Sequence, residues 1–403
     1  MKIQMYIYIY KTMNKSISKI LTKNSNDLYT YIHDNRDLIK YKSLTITRKD
    51  ILKRLFQQIE TAHLHKPQVI KSTTYARHHL SVNKYIPQTI REDINANYTH
   101  VHETIYKYGE REVSVRLYNN KKLDMTTIIN ILSKINTWIF VATTNAVNVC
   151  SRKLDIHIYF TEHNKRMPDN NKQVDRINAN TAYTTSCTTD TDIHIYRSEE
   201  WFKVLIHETF HSLGLDFSNM KDDFSNQCLQ EIFSIDTEDL RLYESYCESW
   251  AEIWNIIIIS FLSVNRKSEI DKMIVRFEMM LQCEVLFSMY QAHKILANSG
   301  VTYNKLISSK SNNYTENTNA FSYFVVKSML LYNANNFLTW CNKSNKPIIL
   351  FNNDVATIKS YCGLIQTLSR NKDYISDFAL FENNVMGDIV DKDSLRMTVF
   401  EII

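Results

Sequence analysis

The run WFKVLIHETFHSLGLDF, residues 201–217, sets two histidines and a glutamate inside an otherwise apolar stretch. At 3.6 residues per turn, Val204, Leu205, Ile206, Phe210 and Leu213 mark a helix that is buried. A buried helix cannot leave His207, Glu208 and His211 without partners, because uncompensated polar groups are costly in an apolar interior. The fold must therefore bring other polar groups, or a cation, to this helix. The spacing selects between those options. Histidines four residues apart project from one helical face, so both reach a single tetrahedral zinc, while Glu208 points at the remaining, solvent-filled position. His207 and His211 are thus expected as metal ligands and Glu208 as the catalytic base that takes a proton from a zinc-polarised water.

A third ligand must come from elsewhere. Gly214, one of only five glycines, falls where a helix can end in the left-handed conformation and turn the chain away. The metzincin extension requires His or Asp at 217, where this chain has Phe217; Asp216 stands one position early. The other known solution is a glutamate from a second helix. LYESYCESWAEIWN, 242–255, carries Glu244, Glu248, Glu252 and Asn255 as one polar stripe on an apolar helix that runs directly into IIIISFL. Glu248 is the favoured ligand, because the small Ala251 three residues on permits close approach of the two helices. Glu252 then accepts a histidine N–H and fixes its tautomer. In the alternative register Glu244 is the ligand and Glu248 moves behind it; the sequence does not separate the two. Tyr243, Tyr246 and Tyr183 are candidate donors to a developing oxyanion.

Around this helix the pattern changes period. Residues 13–65 read as helical. YTHVHETIYKYGEREVSVRLYN, 98–119, alternates apolar and polar residues on both sides of YGER, a β-hairpin with Gly109 at positive φ. Asp124 caps a helix burying Ile128, Ile131, Leu132, Ile135, Trp138 and Ile139. Short strands follow at 154–160, 178–186 and 192–197, the second expected at a sheet edge beside the site. Ser198, followed by Glu199 and Glu200, is expected to start the HExxH helix. Beyond it the chain reads as helices at 240–262, 268–298 and 320–334. The class is α+β, a small sheet backed by helices. Three regions are expected: a helical, basic stretch over 1–95, a catalytic unit over 96–262, and a mostly helical region over 263–403 packing on it.

Charge and cysteines narrow the function classes. Residues 1–80 hold 15 Lys/Arg against 5 Asp/Glu, an excess of +10, but no nucleic-acid motif accompanies them, so a solvated face is expected rather than a nucleic-acid arm. The seven cysteines are an odd number, far apart, and never form CxxC; this argues against a disulfide framework and a cysteine zinc site, and for a reducing compartment. MYIYIY, 5–10, is too short and tyrosine-rich for a signal peptide, and the IIIISFL segment is too short and interrupted to span a bilayer. His78, His79, His157 and His194 are expected as surface or cleft-facing polar residues, and Cys247 as a small core residue.

HIYRSEEWFKVLIHETFHSLGLDFS together with YESYCESWAEIWN resembles the gluzincin class, and within it HExxH metallopeptidases of giant (nucleocytoplasmic large) DNA viruses. The likeness covers about 192–259. It implies a zincin-like small mixed sheet with an HExxH active-site helix beneath it, followed by a mostly helical C-terminal half. One Zn2+ per chain is expected; the resemblance does not supply a substrate, but zincins hold an extended peptide along the sheet edge beside the metal, so a protein or peptide substrate is expected. A host-cytoplasmic or virion location is the expectation, and a catalytically inactive structural protein of a virus particle is the alternative.

Overall fold

The alternation at 98–119 closes into a hairpin around Gly109, whose φ of +59° is the left-handed conformation that lets the chain reverse there. The computed structural model describes residues 16–77, 84–169, 172–220, 224–235, 237, 239–264, 269–308, 313–383 and 391–402. MYIYIY, His78 and His79 lie outside the described residues. The described strands are β1 (Gln68–Ala76), β2 (His100–Tyr108), β3 (Arg111–Asn119), β4 (Lys153–Tyr159), β5 (Ala182–Thr184) and β6 (Asp190–Ile195). They form one sheet in the order β1-β2-β3-β4-β6-β5. β3, β4 and β6 pair in parallel and the outer pairs are antiparallel, so the sheet is mixed and β5 is an edge.

Period-two patterning decides the sheet's faces. Val113, Val115 and Leu117 of β3, Leu154, Ile156 and Ile158 of β4, and Ile193 and Ile195 of β6 enter the main core. The helix Met125–Asn145 connects β3 to its parallel neighbour β4, begins on the Asp124 cap, and buries Ile128, Ile135, Trp138 and Ile139. Trp138 Nε1 donates to Thr209 Oγ1 at 2.8 Å, fixing this crossover to the helix Trp201–Ser212. Among the described helices Met125–Asn145 alone has the length and apolarity to cross a membrane; here it packs against Ile46–Leu64 and Trp201–Ser212. The helices Leu242–Leu262 and Ile270–Asn298 complete the core behind Trp201–Ser212.

Several expectations are corrected. Residues 1–95 are not wholly helical: β1 pairs with β2 over its length, and Ile17 to Ala62 share one buried core with residues as distant as Ile402. The stretch was missed because β1 is exposed along most of its length and shows no apolar alternation. Most of its described basic side chains are exposed, and some meet this chain's own polar groups there: Lys49 meets Glu278 at 2.9 Å, Lys42 meets Asp373 at 2.6 Å, and Arg54 donates to Asn342.

Ser198 does not cap the HExxH helix, since its hydroxyl donates to Thr161 O; the helix begins after Glu200, which sits at φ +60°. Glu199 and Glu200 are clamps rather than first-turn charges. Glu199 accepts from the Lys165 amide, and Glu200 binds Lys165 Nζ and accepts from the amides of Met397 and Thr398. The cysteines also differ from expectation. Cys150 pairs with Cys187 and Cys228 with Cys362, across separations of 37 and 134 residues that leave no local spacing signal, while Cys247, Cys283 and Cys341 are free and buried.

Candidate metal centre

Every residue of Trp201–Ser212 is buried, so the polar side chains it carries are satisfied from neighbouring elements or not at all. Leu242–Leu262 supplies them. Glu244 Oε2 lies 3.1 Å from His207 Nε2 and 3.2 Å from His211 Nε2, and the two Nε2 atoms are 3.2 Å apart. Three ligand atoms from three side chains thus form a nearly equilateral triangle. Nitrogen and oxygen ligands about 2.0–2.1 Å from a tetrahedral zinc lie about 3.3 Å from one another, so the triangle fits such an ion with one position left toward the cleft.

Glu248, favoured from the sequence, is not at the triangle. Its Oε2 lies 2.8 Å from His207 Nδ1, on the other edge of the ring, and its Oε1 binds Lys203 Nζ. The reason is the register of the two helices. Glu244 meets His207 and His211, whereas Glu248 meets Lys203 and His207, so the helices run in opposite senses at the contact and each turn along one retreats a turn along the other. Glu252, a further turn or about 6 Å along, is beyond the histidines and faces Lys327 at 3.5 Å instead of accepting a histidine N–H. Asn255 donates to Phe400 O and takes no part.

A carboxylate stands behind each imidazole, Glu248 within ion-pair distance of His207 and Asp216 hydrogen-bonded to His211. His211 Nδ1 is 2.5 Å from Asp216 Oδ2, whose other oxygen accepts from Ser218 Oγ. Gly214 at φ +66° turns the chain back so that Leu215 N donates to Phe210 O, which returns residue 216 to the histidine five positions earlier. Asp216 is therefore outside the His207–His211–Glu244 triangle and lies against the outer nitrogen of His211, where with Cys247 it forms a second buried group that could hold a metal ion. Cys247 Sγ, 3.4 Å from Asp216 Oδ2, is a neutral neighbour: burial pushes its thiol up, and Asp216 pushes it further.

The electrostatics favour a cation at the triangle. Glu208, Glu244, Glu248 and Asp216 surround two imidazoles, with Lys203 the nearest compensating charge. Burial works against the His207 imidazolium, but Glu244 and Glu248 outweigh it and raise the group to about 9. Burial likewise opposes ionisation of Glu248, yet Lys203 and His207 hold it well below the carboxylate range. Glu208 behaves oppositely: burial pushes its carboxyl up, partly offset by His207 and His211.

The triangle and Glu208 open onto a cleft of about 630 Å³. β5 forms one wall, with Ala182, Tyr183 and Thr184 along it, as expected for the edge strand. Tyr243 also lines it, its ring edge-on to His211 at 5.7 Å. Tyr246 does not, because its hydroxyl donates to Ile349 O inside the core. Two contributors have no local signal in the sequence. Tyr323 stands edge-on to His207 at 5.8 Å from a π-helical stretch, Phe321–Val326, and Asn319 Nδ2 lies 3.5 Å from Glu244 Oε1. Lys203 did carry a signal, since a lysine one turn before His207 on a buried helix demands a carboxylate. His157 and His194 are elsewhere, stacked 4.3 Å apart on β4 and β6 within a ladder that includes Tyr118, Tyr159 and Tyr183.

No protein-family model, curated protein or solved structure matches this chain.

Proposed function

We propose that the chain is a zinc-dependent metallopeptidase of the gluzincin kind, with His207, His211 and Glu244 as the metal ligands and Glu208 as the general base. The observation that carries this reading is the convergence of His207 Nε2, His211 Nε2 and Glu244 Oε2 within 3.2 Å of one another beside a buried Glu208 facing the same cleft. When bound, zinc would supply Lewis acidity that polarises a substrate carbonyl and eases deprotonation of water.

The chain's own residues do the rest. β5 is the last strand of the sheet and runs along the cleft, so an extended peptide can add to it as a further strand and be fixed by backbone hydrogen bonds. Glu208 accepts the proton of the attacking water and returns it to the leaving amine; its raised carboxyl pKa suits both roles. Asp216 binds the outer nitrogen of His211, and Glu248 lies 2.8 Å from the outer nitrogen of His207, so both inner nitrogens face the triangle. Tyr323 and Tyr243 flank the triangle and are the hydroxyl groups available to a developing oxyanion.

The test is metal analysis and peptide hydrolysis on purified protein. About one zinc per chain is expected, with Glu208→Gln retaining the metal while losing roughly 10²–10⁴ in turnover. Full hydrolysis by Glu208→Gln, or a wild-type protein that binds no zinc, would end the proposal.

A further inference from the structure

The last carbonyls of a helix have no partner within it and must be met from outside. At the end of Trp201–Ser212 two loops meet them. His211 O accepts from the Cys187 amide at 3.1 Å, Ser212 O accepts from Ser151 Oγ at 2.6 Å, and Leu213 O, one residue on, accepts from the Val147 amide at 3.2 Å. Cys187 lies in the loop between β5 and β6, while Val147 and Ser151 lie in the segment that enters β4. The Cys150–Cys187 disulfide joins the two loops at this point.

The bond is packed against the turn that completes the candidate metal centre. A Cβ on Gly214 would stand 2.8 Å from Cys150 Sγ and 3.4 Å from Cys187 Sγ. Two thiols cannot stay at bonding distance, so opening the disulfide moves the sulfurs apart beside residue 214, two positions before Asp216. That displacement acts on the contact between Asp216 and His211. The strands are held independently of the bond, because Ser151 N donates to Thr188 O at 2.7 Å, Lys153 N donates to Thr189 O at 3.1 Å, and β4 pairs with β6. Cys187 is half-buried, which leaves it open to a reductant, whereas Cys228 and Cys362 are both buried.

Resting on the reading of His211 as a metal ligand, we infer that the Cys150–Cys187 disulfide is a redox clasp on the metal centre. Closed, it holds the His211–Asp216 end of the helix in ligating geometry; opened by a dithiol reductant, it lowers zinc affinity. A thiolate of the reductant attacks Cys187 Sγ, the S–S bond breaks, and Cys150 leaves as a thiolate that takes up a proton. The second thiol of the reductant then attacks the mixed disulfide and releases Cys187, which is protonated in turn, as the reductant closes to its own disulfide. Two electrons pass from the dithiol to the protein, and a disulfide oxidant reverses the sequence.

The experiment is chelator-competition zinc titration of the full-length protein carrying Cys228→Ser and Cys362→Ser, which leaves Cys150–Cys187 as the one disulfide among the described residues. It is run on the oxidised protein, after dithiothreitol treatment and removal of the reductant, and after reoxidation with glutathione disulfide. Thiol alkylation and mass spectrometry record the state of Cys150 and Cys187 each time. Reduction should lower zinc affinity about 10–100-fold, the scale expected when a group that orients a ligand is disturbed, and reoxidation should restore it. Cys150→Ser with Cys187→Ser should match the reduced form; compared with oxidised wild type, it serves if the first variant does not fold. Equal affinity in the two states, a loss that reoxidation does not reverse, or Cys150 and Cys187 remaining free thiols under glutathione disulfide would overturn the inference and leave the proposed function intact. Zinc bound in neither state would overturn both.

Discussion

Glu248 Oε2 lies 2.8 Å from His207 Nδ1, the ring nitrogen turned away from the metal triangle. On the proposed function the two neighbouring glutamates do different work, Glu244 as a metal ligand and Glu248 behind the His207 ring. Glu244→Ala is therefore expected to abolish stoichiometric zinc binding. Glu248→Gln should retain one zinc at saturating metal, with affinity lowered about 10–100-fold. It also replaces the carboxylate bound to buried Lys203 by a neutral amide, leaving Glu200 and Glu252 as its remaining opposite charges, so the metal-free protein should lose stability, by less than the about 3–5 kcal/mol of a fully uncompensated buried charge. Chelator competition and urea denaturation measure the two effects separately. Zinc lost from the Glu248 variant and kept by the Glu244 variant would reverse the assignment.

Gly214 and Gly109 share almost the same backbone angle, +66° and +59°, and differ in surroundings. A Cβ at 214 would stand 2.8 Å from Cys150 Sγ and 3.4 Å from Cys187, whereas at 109 it would meet nothing within 4 Å. Gly109→Ala should cost only the left-handed strain, about 1–2 kcal/mol. Gly214→Ala should cost clearly more, and because Asp216 lies two residues on and orients His211, it alone should also weaken zinc binding. Thermal unfolding with parallel zinc titration of both variants tests this; equal losses in the two, with unchanged metal affinity, would show that the turn does not position Asp216.

The parts of this molecule that local pattern encodes were legible in its sequence. Period-two alternation located β2, β3, β4 and β6, and the Asp124 cap and buried stripe located Met125–Asn145. His207, Glu208 and His211 were found because their spacing is a property of one helix. The choice between Glu244 and Glu248 was not, since it depends on how two helices slide past each other, and the presence of Ala251 does not fix that slide. Asp216 stands one position early for the metzincin pattern, and only the Gly214 turn, which the completed fold shows, places it at the outer nitrogen of His211. Tyr323, Asn319 and the two disulfides join positions brought together only by the completed fold.

Glu316 gives a prediction independent of the metal ligands. It lines the cleft and accepts from Tyr314 Oη at 2.8 Å and from the Phe321 amide at 2.6 Å. Burial pushes its carboxyl up to about 8, against the smaller downward pull of those two donors. Between its ordinary value of 4.5 and about 8, the folded chain therefore holds a proton at this site that the unfolded chain has released. Its favourable contribution is complete below pH 4.5 and is lost as pH rises through about 8, at no more than about 1.4 kcal/mol per pH unit. Glu316→Gln keeps an uncharged side chain of the same shape and removes this titration. Measured by urea denaturation at matched pH and zinc concentration, the stability of the Gln variant relative to wild type should rise from pH 5 to 8 and level off above. Curves that stay parallel across that range would mean Glu316 is ionised in the folded chain at neutral pH and that the cleft wall beside Phe321 carries a negative charge.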